Sequence, residues 1–200
     1  MMQFGTPATR YDWFMGLVEK RLLAPLRHEL LAPLRGRVLE IGAGTGINFA
    51  YYSPPAQVLA VEPNYWMRIP ARRRAARSPA QIVLTNGHAE RLPAPPGAFD
   101  AVVSTFVLCS VADLERSIAE LRRVLRPGGK ALLIEHVRAE HPVWRALQHA
   151  WNPCQYRLGD GCRLTRDTVG ALEAAGFALQ QVRALGGGIL PLRVVRAECR

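Results

Sequence analysis

Leu39-Glu40-Ile41-Gly42-Ala43-Gly44-Thr45-Gly46 says more about the architecture than any other segment of the chain. An apolar run ends in glycines at alternate positions, the layout of a strand feeding a turn whose backbone N–H groups face a ligand where a helix opens. A Cβ at these positions would block close approach of the bound molecule. The pattern is G-x-G-x-G, not the dinucleotide fingerprint G-x-G-x-x-G, and an acidic residue, Glu40, precedes it.

On either side of this turn, short runs rich in Val, Leu and Ile alternate with helical patterns, as in a parallel α/β sheet. Strands are predicted at 37–41, 58–62, 82–85, 101–105 and 131–137, and helices between them at 65–76 and 113–125. The second helix carries Leu114, Ile118, Leu121, Val124 and Leu125 on one face, with Asp113 as its N-cap. Helical patterns follow at 143–151 and 165–175. A strand starting at Phe177, the turn Gly186-Gly187-Gly188 and a strand at 192–197 then form an antiparallel edge hairpin. The expected fold class is α/β: a Rossmann-like, mostly parallel seven-stranded sheet with helices on both faces. Residues 35–200 would form one cofactor-binding unit, and residues 1–34 an N-terminal helical cap. Within the cap, 11–34 has a helical pattern, with Trp13, Phe14, Leu17, Val18, Leu22 and Leu23 apolar and Glu19, Lys20, Arg21 and Arg27 polar. Three readings stand for it: a helix packed on the sheet, a lid over the substrate cleft, or a basic amphipathic helix in peripheral contact with a membrane.

Composition narrows the function classes. At 200 residues, 49% apolar and 21% charged, the chain suits one globular core. No apolar run reaches the ~18 residues of a membrane-spanning helix. Cys109, Cys154, Cys162 and Cys199 form no C-x-x-C pair and no zinc spacing, so reduced thiols and a cytoplasmic chain are expected. The net charge of +10 invites a nucleic-acid partner. However, no aromatic residues interleave the main basic run, Arg72, Arg73, Arg74 and Arg77, which reads as solvated surface and argues against nucleic acid.

The spacing of the glycine turn argues for S-adenosylmethionine over NAD. Backbone contacts are expected from Gly42, Ala43, Gly44 and Gly46, with Glu40 and Asn48 beside them. Glu62, closing the second strand, sits where a carboxylate accepts both ribose hydroxyls, though a solvent-facing strand-end Glu is the other reading. Pro63 and Asn64 then turn the chain beside the adenine. The loop Gly87-His88-Ala89-Glu90 is expected at the adenine edge, and Thr105, Phe106 and Cys109 at the methionine half. Arg126-Pro127-Gly128-Gly129 ends a helix, with glycine supplying a positive φ.

With these motifs in this order, the segment 37–137 resembles the class I methyltransferases. A closer likeness lies in 103–111, 124–129, Glu135-His136-Val137 and Asp160-Gly161-Cys162-Arg163-Leu164-Thr165-Arg166, which resemble the animal thiol methyltransferases of the methyltransferase-like seven group. The resemblance implies S-adenosylmethionine as methyl donor and an alkyl thiol as small-molecule acceptor. Those relatives carry a hydrophobic N-terminal anchor, which is not expected here. His88 is a second departure, since class I relatives commonly place an acidic residue there; a neutral imidazole still accepts one hydrogen bond.

On the acceptor side, His136 at the end of the fifth strand is the candidate base or substrate-positioning residue, against the reading that it only bonds a neighbouring loop. Glu135, His136 and His141 fit no metal-ligand spacing, so no metal is expected. Cys109 and Cys162 have no adjacent base in sequence and read as buried small residues. Trp144 and Trp151 line a helix face, toward either an apolar acceptor or the core. Ser104-Thr105-Phe106-Val107 lacks the Asn/Asp-Pro-Pro-aromatic turn of base-amine methylating enzymes. The alternatives are a lipid amine, a quinone-like hydroxyl, or a non-catalytic nucleic-acid-binding protein on the same fold.

Overall fold

The structure, a computed structural model, describes residues 19–159 and 161–199. Its seven strands form one mostly parallel sheet with an antiparallel hairpin at one edge, as the strand pattern in the sequence implied. The chain groups into two compact units, one ending at Gly87 and the other starting at His88.

The first unit opens with a π-helical turn, Glu19–Leu23, running into α1, Ala24–Leu31. A proline sits in its first turn, where no helical N–H is lost. This helix stops three residues short of the expected Leu34, and residues 11–18 of the expected helix lie outside the described residues. Strand β1, Gly36–Ile41, pairs in parallel with β2, Ala56–Val61, and β2 with β3, Gln81–Thr85. Between β2 and β3 runs α2, Tyr65–Ala75, capped by Asn64, whose side chain accepts from Trp66 N at 2.9 Å. The helix expected after the glycine turn is only a 3-10 turn, Ile47–Tyr51. Pro54 and Pro55 follow closely and cannot continue a helix.

The second unit begins with β4, Phe99–Thr105, and α3, Leu114–Val124. Asp113 caps α3 by accepting from Arg116 N at 2.9 Å, and Ile118, Leu121 and Val124 are buried, as their spacing required. Strand β5, Leu125–His136, pairs in parallel with β4. Leu125, expected to close the helix, instead opens the strand opposite Phe99, and the turn with Gly128 at φ +72° bulges out before Lys130 meets Ala101. Helix α4, Pro142–Leu158, continues beyond the expected Trp151, and α5, Thr168–Ala174, follows. Trp144 and Trp151 are exposed, so α4 does not bury them in the core. Strands β6, Phe177–Leu185, and β7, Leu192–Cys199, form the antiparallel hairpin, and β7 also pairs antiparallel with β5.

Candidate functional site

In each unit a buried carboxylate at the end of a neighbouring strand holds the loop that leaves the carboxyl end of a strand. In the first unit, Gly42, Gly44 and Gly46 all have positive φ (+55°, +55° and +81°), a conformation that glycine adopts without penalty. Two of these glycines are needed for different reasons. A Cβ on Gly46 would lie 2.6 Å from the Phe49 ring, whereas one on Gly44 would meet only the Gly42 carbonyl, at 3.9 Å. The Gly44 face of the loop is therefore open to a ligand. Glu62 fixes the loop: one carboxylate oxygen accepts from Gly44 N and the other from Asn64 N, each at 2.8 Å.

Beneath the loop lies a buried polar network. Asn48 Nδ2 donates to Glu40 at 3.0 Å, Tyr52 donates its hydroxyl to the other Glu40 oxygen at 2.7 Å, and Arg27 of α1 donates to Asn48 Oδ1. Burial pushes the Glu40 carboxyl from 4.5 up to about 7, against the pull of Tyr52, Asn48 and Arg27. Burial, with Glu40 alongside, also raises the Tyr52 phenol. The side chains of Glu40 and Asn48 thus hold each other and brace the turn from below.

In the second unit the loop after β4 is held the same way. Buried Glu135, near the end of β5, accepts from Ser104 Oγ at 2.6 Å, Val107 N at 3.0 Å, Leu108 N at 3.1 Å and Cys109 N at 3.3 Å. Burial raises its carboxyl, and these four donors oppose the rise. At the start of this loop Phe106 takes φ +59°, the one non-glycine residue with positive φ among those described. That strain persists because Glu135 and the bond from Phe106 N to Ile134 O fix the chain on both sides. Arg166 adds bonds from its guanidinium to the Leu108 and Val111 carbonyls.

At the end of β5, His136 meets two cysteines. The donor atoms of Cys109, His136 and Cys162 all lie within 4.8 Å of one another, with Cys162 Sγ 3.8 Å from His136 Nδ1. The Phe106 ring tilts against the imidazole, centroids 5.0 Å apart. Cys109 is driven well above the usual thiol range, first by donating to Cys162 and then by burial. Cys162 falls to about 5, because Cys109 donates to it and His136 adds a hydrogen bond and its charge. Sequence spacing missed this trio, since the cysteines belong to segments joined only by folding; His141, weighed as its partner, instead caps α4 by accepting from Val143 N at 3.3 Å. Of the adenine-edge candidates, His88 is exposed and Ala89 buried, while Glu90 accepts from Ala112 N at 2.8 Å and so braces the start of α3.

Residues 39–133 match the family model of a methyltransferase domain. The chain is 35% identical to human thiol S-methyltransferase TMT1B over 171 residues, covering 79% of this chain and 70% of that protein. The chain belongs to the class I S-adenosylmethionine-dependent methyltransferases. Human thiol S-methyltransferase TMT1A is 38% identical over 156 residues, 74% of this chain; the match spans 63% of that protein, under two thirds of its length. A ubiquinone/menaquinone biosynthesis C-methyltransferase, UbiE of Methylobacterium nodulans, is 30% identical across 93% of this chain and 85% of its own. Among solved structures, an S-adenosylmethionine-dependent methyltransferase of Thermotoga maritima superposes with a TM-score of 0.70 at 22% identity, over 96% of this chain and 95% of that one. At that identity the likeness concerns the fold. No described helix is long and apolar enough to cross a membrane.

Proposed function

We propose that this methyltransferase moves the methyl group of S-adenosylmethionine to the sulfur of a small, apolar alkyl thiol. The observation that carries the thiol over other acceptors is its 38% identity to thiol S-methyltransferase TMT1A, against 30% to the quinone C-methyltransferase UbiE. The chemistry of the residues agrees with it. In the first unit, the turn of Gly42, Ala43, Gly44 and Gly46 receives the cofactor by close approach over its open Gly44 face, while the N–H groups of Ala43, Gly44 and Gly46 hold the turn through Val61 O, Glu62 and Ala43 O. A carboxylate accepts up to about four hydrogen bonds, so Glu62 can grip both the loop and the ribose hydroxyls. Pro63 and Asn64 turn the chain beside the base, and Glu40 and Asn48 act from beneath by keeping the turn in shape. Gly87, which closes the first unit, and His88, Ala89 and Glu90, which open the second, are assigned to the adenine edge, and Thr105, Phe106 and Cys109 to the methionine half, from their order along the chain.

Methyl transfer from a sulfonium is an in-line displacement: the acceptor sulfur forms a bond to the methyl carbon while the old carbon–sulfur bond breaks, its electron pair neutralising the sulfonium. The donor is already activated, so the protein contributes mainly alignment and exclusion of water. A thiolate needs little further help, which leaves His136 to position the thiol or take its proton. The test is incubation with S-adenosylmethionine and, in parallel, butanethiol, a quinol and phosphatidylethanolamine, with mass detection of product. Methyl butyl sulfide is expected as the main product. Methylation of the quinol or the lipid amine with the thiol untouched would transfer the assignment to that acceptor.

A further inference from the structure

Three metal-binding side chains converge at the end of β5, and no spacing rule in the sequence points to them. Cys109 and Cys162 are buried and His136 is half-buried, and their donor atoms lie within 4.8 Å of one another. A tetrahedral zinc ion with Zn–S about 2.3 Å and Zn–N about 2.05 Å needs sulfurs about 3.8 Å apart and a nitrogen about 3.6 Å from each. The separation between Cys162 Sγ and His136 Nδ1, 3.8 Å, is within a few tenths of an ångström of that figure. It is also the one grouping of this kind among the described residues.

The backbone around the three donors is fixed by bonds that owe nothing to a metal. Cys109 N donates to Glu135, and Cys109 O accepts from Arg163 N at 2.8 Å. Cys162 N donates to Gly159 O at 3.0 Å, and His136 closes a strand paired on both sides, with Leu192 its partner in β7. A preformed set of two soft sulfurs and one imidazole matches zinc and disfavours magnesium or calcium, which take oxygen. Two thiolates and a neutral imidazole would neutralise a divalent ion, and three protein ligands leave the fourth vertex open, as catalytic zinc sites do.

We propose that Cys109, His136 and Cys162 bind one zinc ion whose open position takes the acceptor thiol as a thiolate. The second half rests on the thiol reading above; the first does not. On coordination the acceptor's S–H bond breaks, its proton passes to solvent water, and a zinc–sulfur bond forms. A sulfur lone pair then attacks the methyl carbon, and the neutral thioether leaves the metal. His136 acts here as a ligand, and no protein base is required.

The experiment is titration of the reduced 200-residue chain with zinc alone against a chromophoric chelator, and with cobalt(II) as a spectroscopic stand-in. One zinc per chain is expected, and cobalt should give the intense thiolate-to-metal absorption of a sulfur-bound tetrahedral ion. Cys162→Ser should cut that band to about half at saturating cobalt, one thiolate remaining, and bind zinc at least about 100-fold more weakly, the upper end of what outer-shell changes alone cost. Cys154→Ser, an exposed cysteine outside the cluster, should behave as the unaltered chain. No stoichiometric zinc, or a cobalt spectrum without sulfur ligation in the unaltered chain, overturns the site without relying on any variant folding. Adding butanethiol should shift the cobalt bands. If it does not, or if the chelator-stripped chain methylates butanethiol at the full rate, the acceptor role falls while thiol methylation stands. Zinc binding without any thiol methylation would instead remove the thiol reading and leave the metal site.

Discussion

Glu40 shows how a side chain with a functional look can be occupied by structure. In sequence it is the acidic residue before a ligand-binding turn, but in the fold it is buried and accepts from Asn48 and Tyr52. Its carboxyl is lifted from 4.5 to about 7, so the folded chain favours the protonated form. The stability this contributes is complete below pH 4.5 and is lost as pH rises through 7, a change of about 3 kcal/mol. Urea unfolding of the unaltered chain and Glu40→Gln between pH 4.5 and 8 should show the advantage of the unaltered chain shrinking by about that amount, most of it before pH 7. A constant difference would mean that Glu40 titrates alike in the folded and unfolded chain. The glycines make a second contrast. Gly46→Ala drives a methyl into Phe49 at a strained φ and should cost about 1–3 kcal/mol by chemical denaturation. Gly44→Ala has room, and should cost only about 1 kcal/mol of stability while weakening S-adenosylmethionine binding more than Gly46→Ala does, because its methyl points into the ligand's approach.

Among the elements, the strands and α3 were readable because one physical rule governs each. Val38, Leu39 and Ile41 are buried in β1, and Ile118, Leu121 and Val124 repeat at helical spacing under an Asp113 cap. Asp113→Ala should therefore cost about 1 kcal/mol, and Leu121→Ala, at a fully buried position, about 2–5 kcal/mol in equilibrium unfolding. Equal losses would mean that the helix depends on its cap as much as on its packing. Boundaries were read less well where tertiary pairing outweighs local pattern. Leu125 fits the helical face by spacing, yet Phe99 draws it into β5. The roles of Glu62 and Glu135 illustrate the same division. Glu62 was picked out by its place at a strand end, but its grip on Gly44 N was not visible in sequence. Glu135 was considered only as a metal ligand, because nothing local tells that three backbone N–H groups beyond β4 converge on it. The trio of Cys109, His136 and Cys162 was hidden for the same reason, being assembled by folding and not by spacing.

For the molecule as a whole, the charge of +10 looks different once its arginines are located. Arg68 bonds the Glu62 and Pro63 carbonyls, Arg74 that of Thr45, Arg123 those of Leu92 and Ala94, and Arg166 those of Leu108 and Val111. These guanidiniums tie down loops, so part of the basic composition serves as structural cement. Within the main basic run Arg72, Arg73 and Arg77 are exposed, while Arg74 is engaged with the glycine turn. Arg68, Arg74 and Arg166 secure loops assigned to the cofactor, and this links the architecture to the activity. Calorimetric titration of S-adenosylmethionine into the unaltered chain and into Glu62→Ala puts that link to the test. One saturable site is expected, with the variant weaker by about 1.5–3 kcal/mol, roughly 10- to 150-fold in Kd, as the loss of charge-assisted hydrogen bonds requires. Absence of binding to the unaltered chain, or an identical Kd in a folded Glu62→Ala, would contradict it.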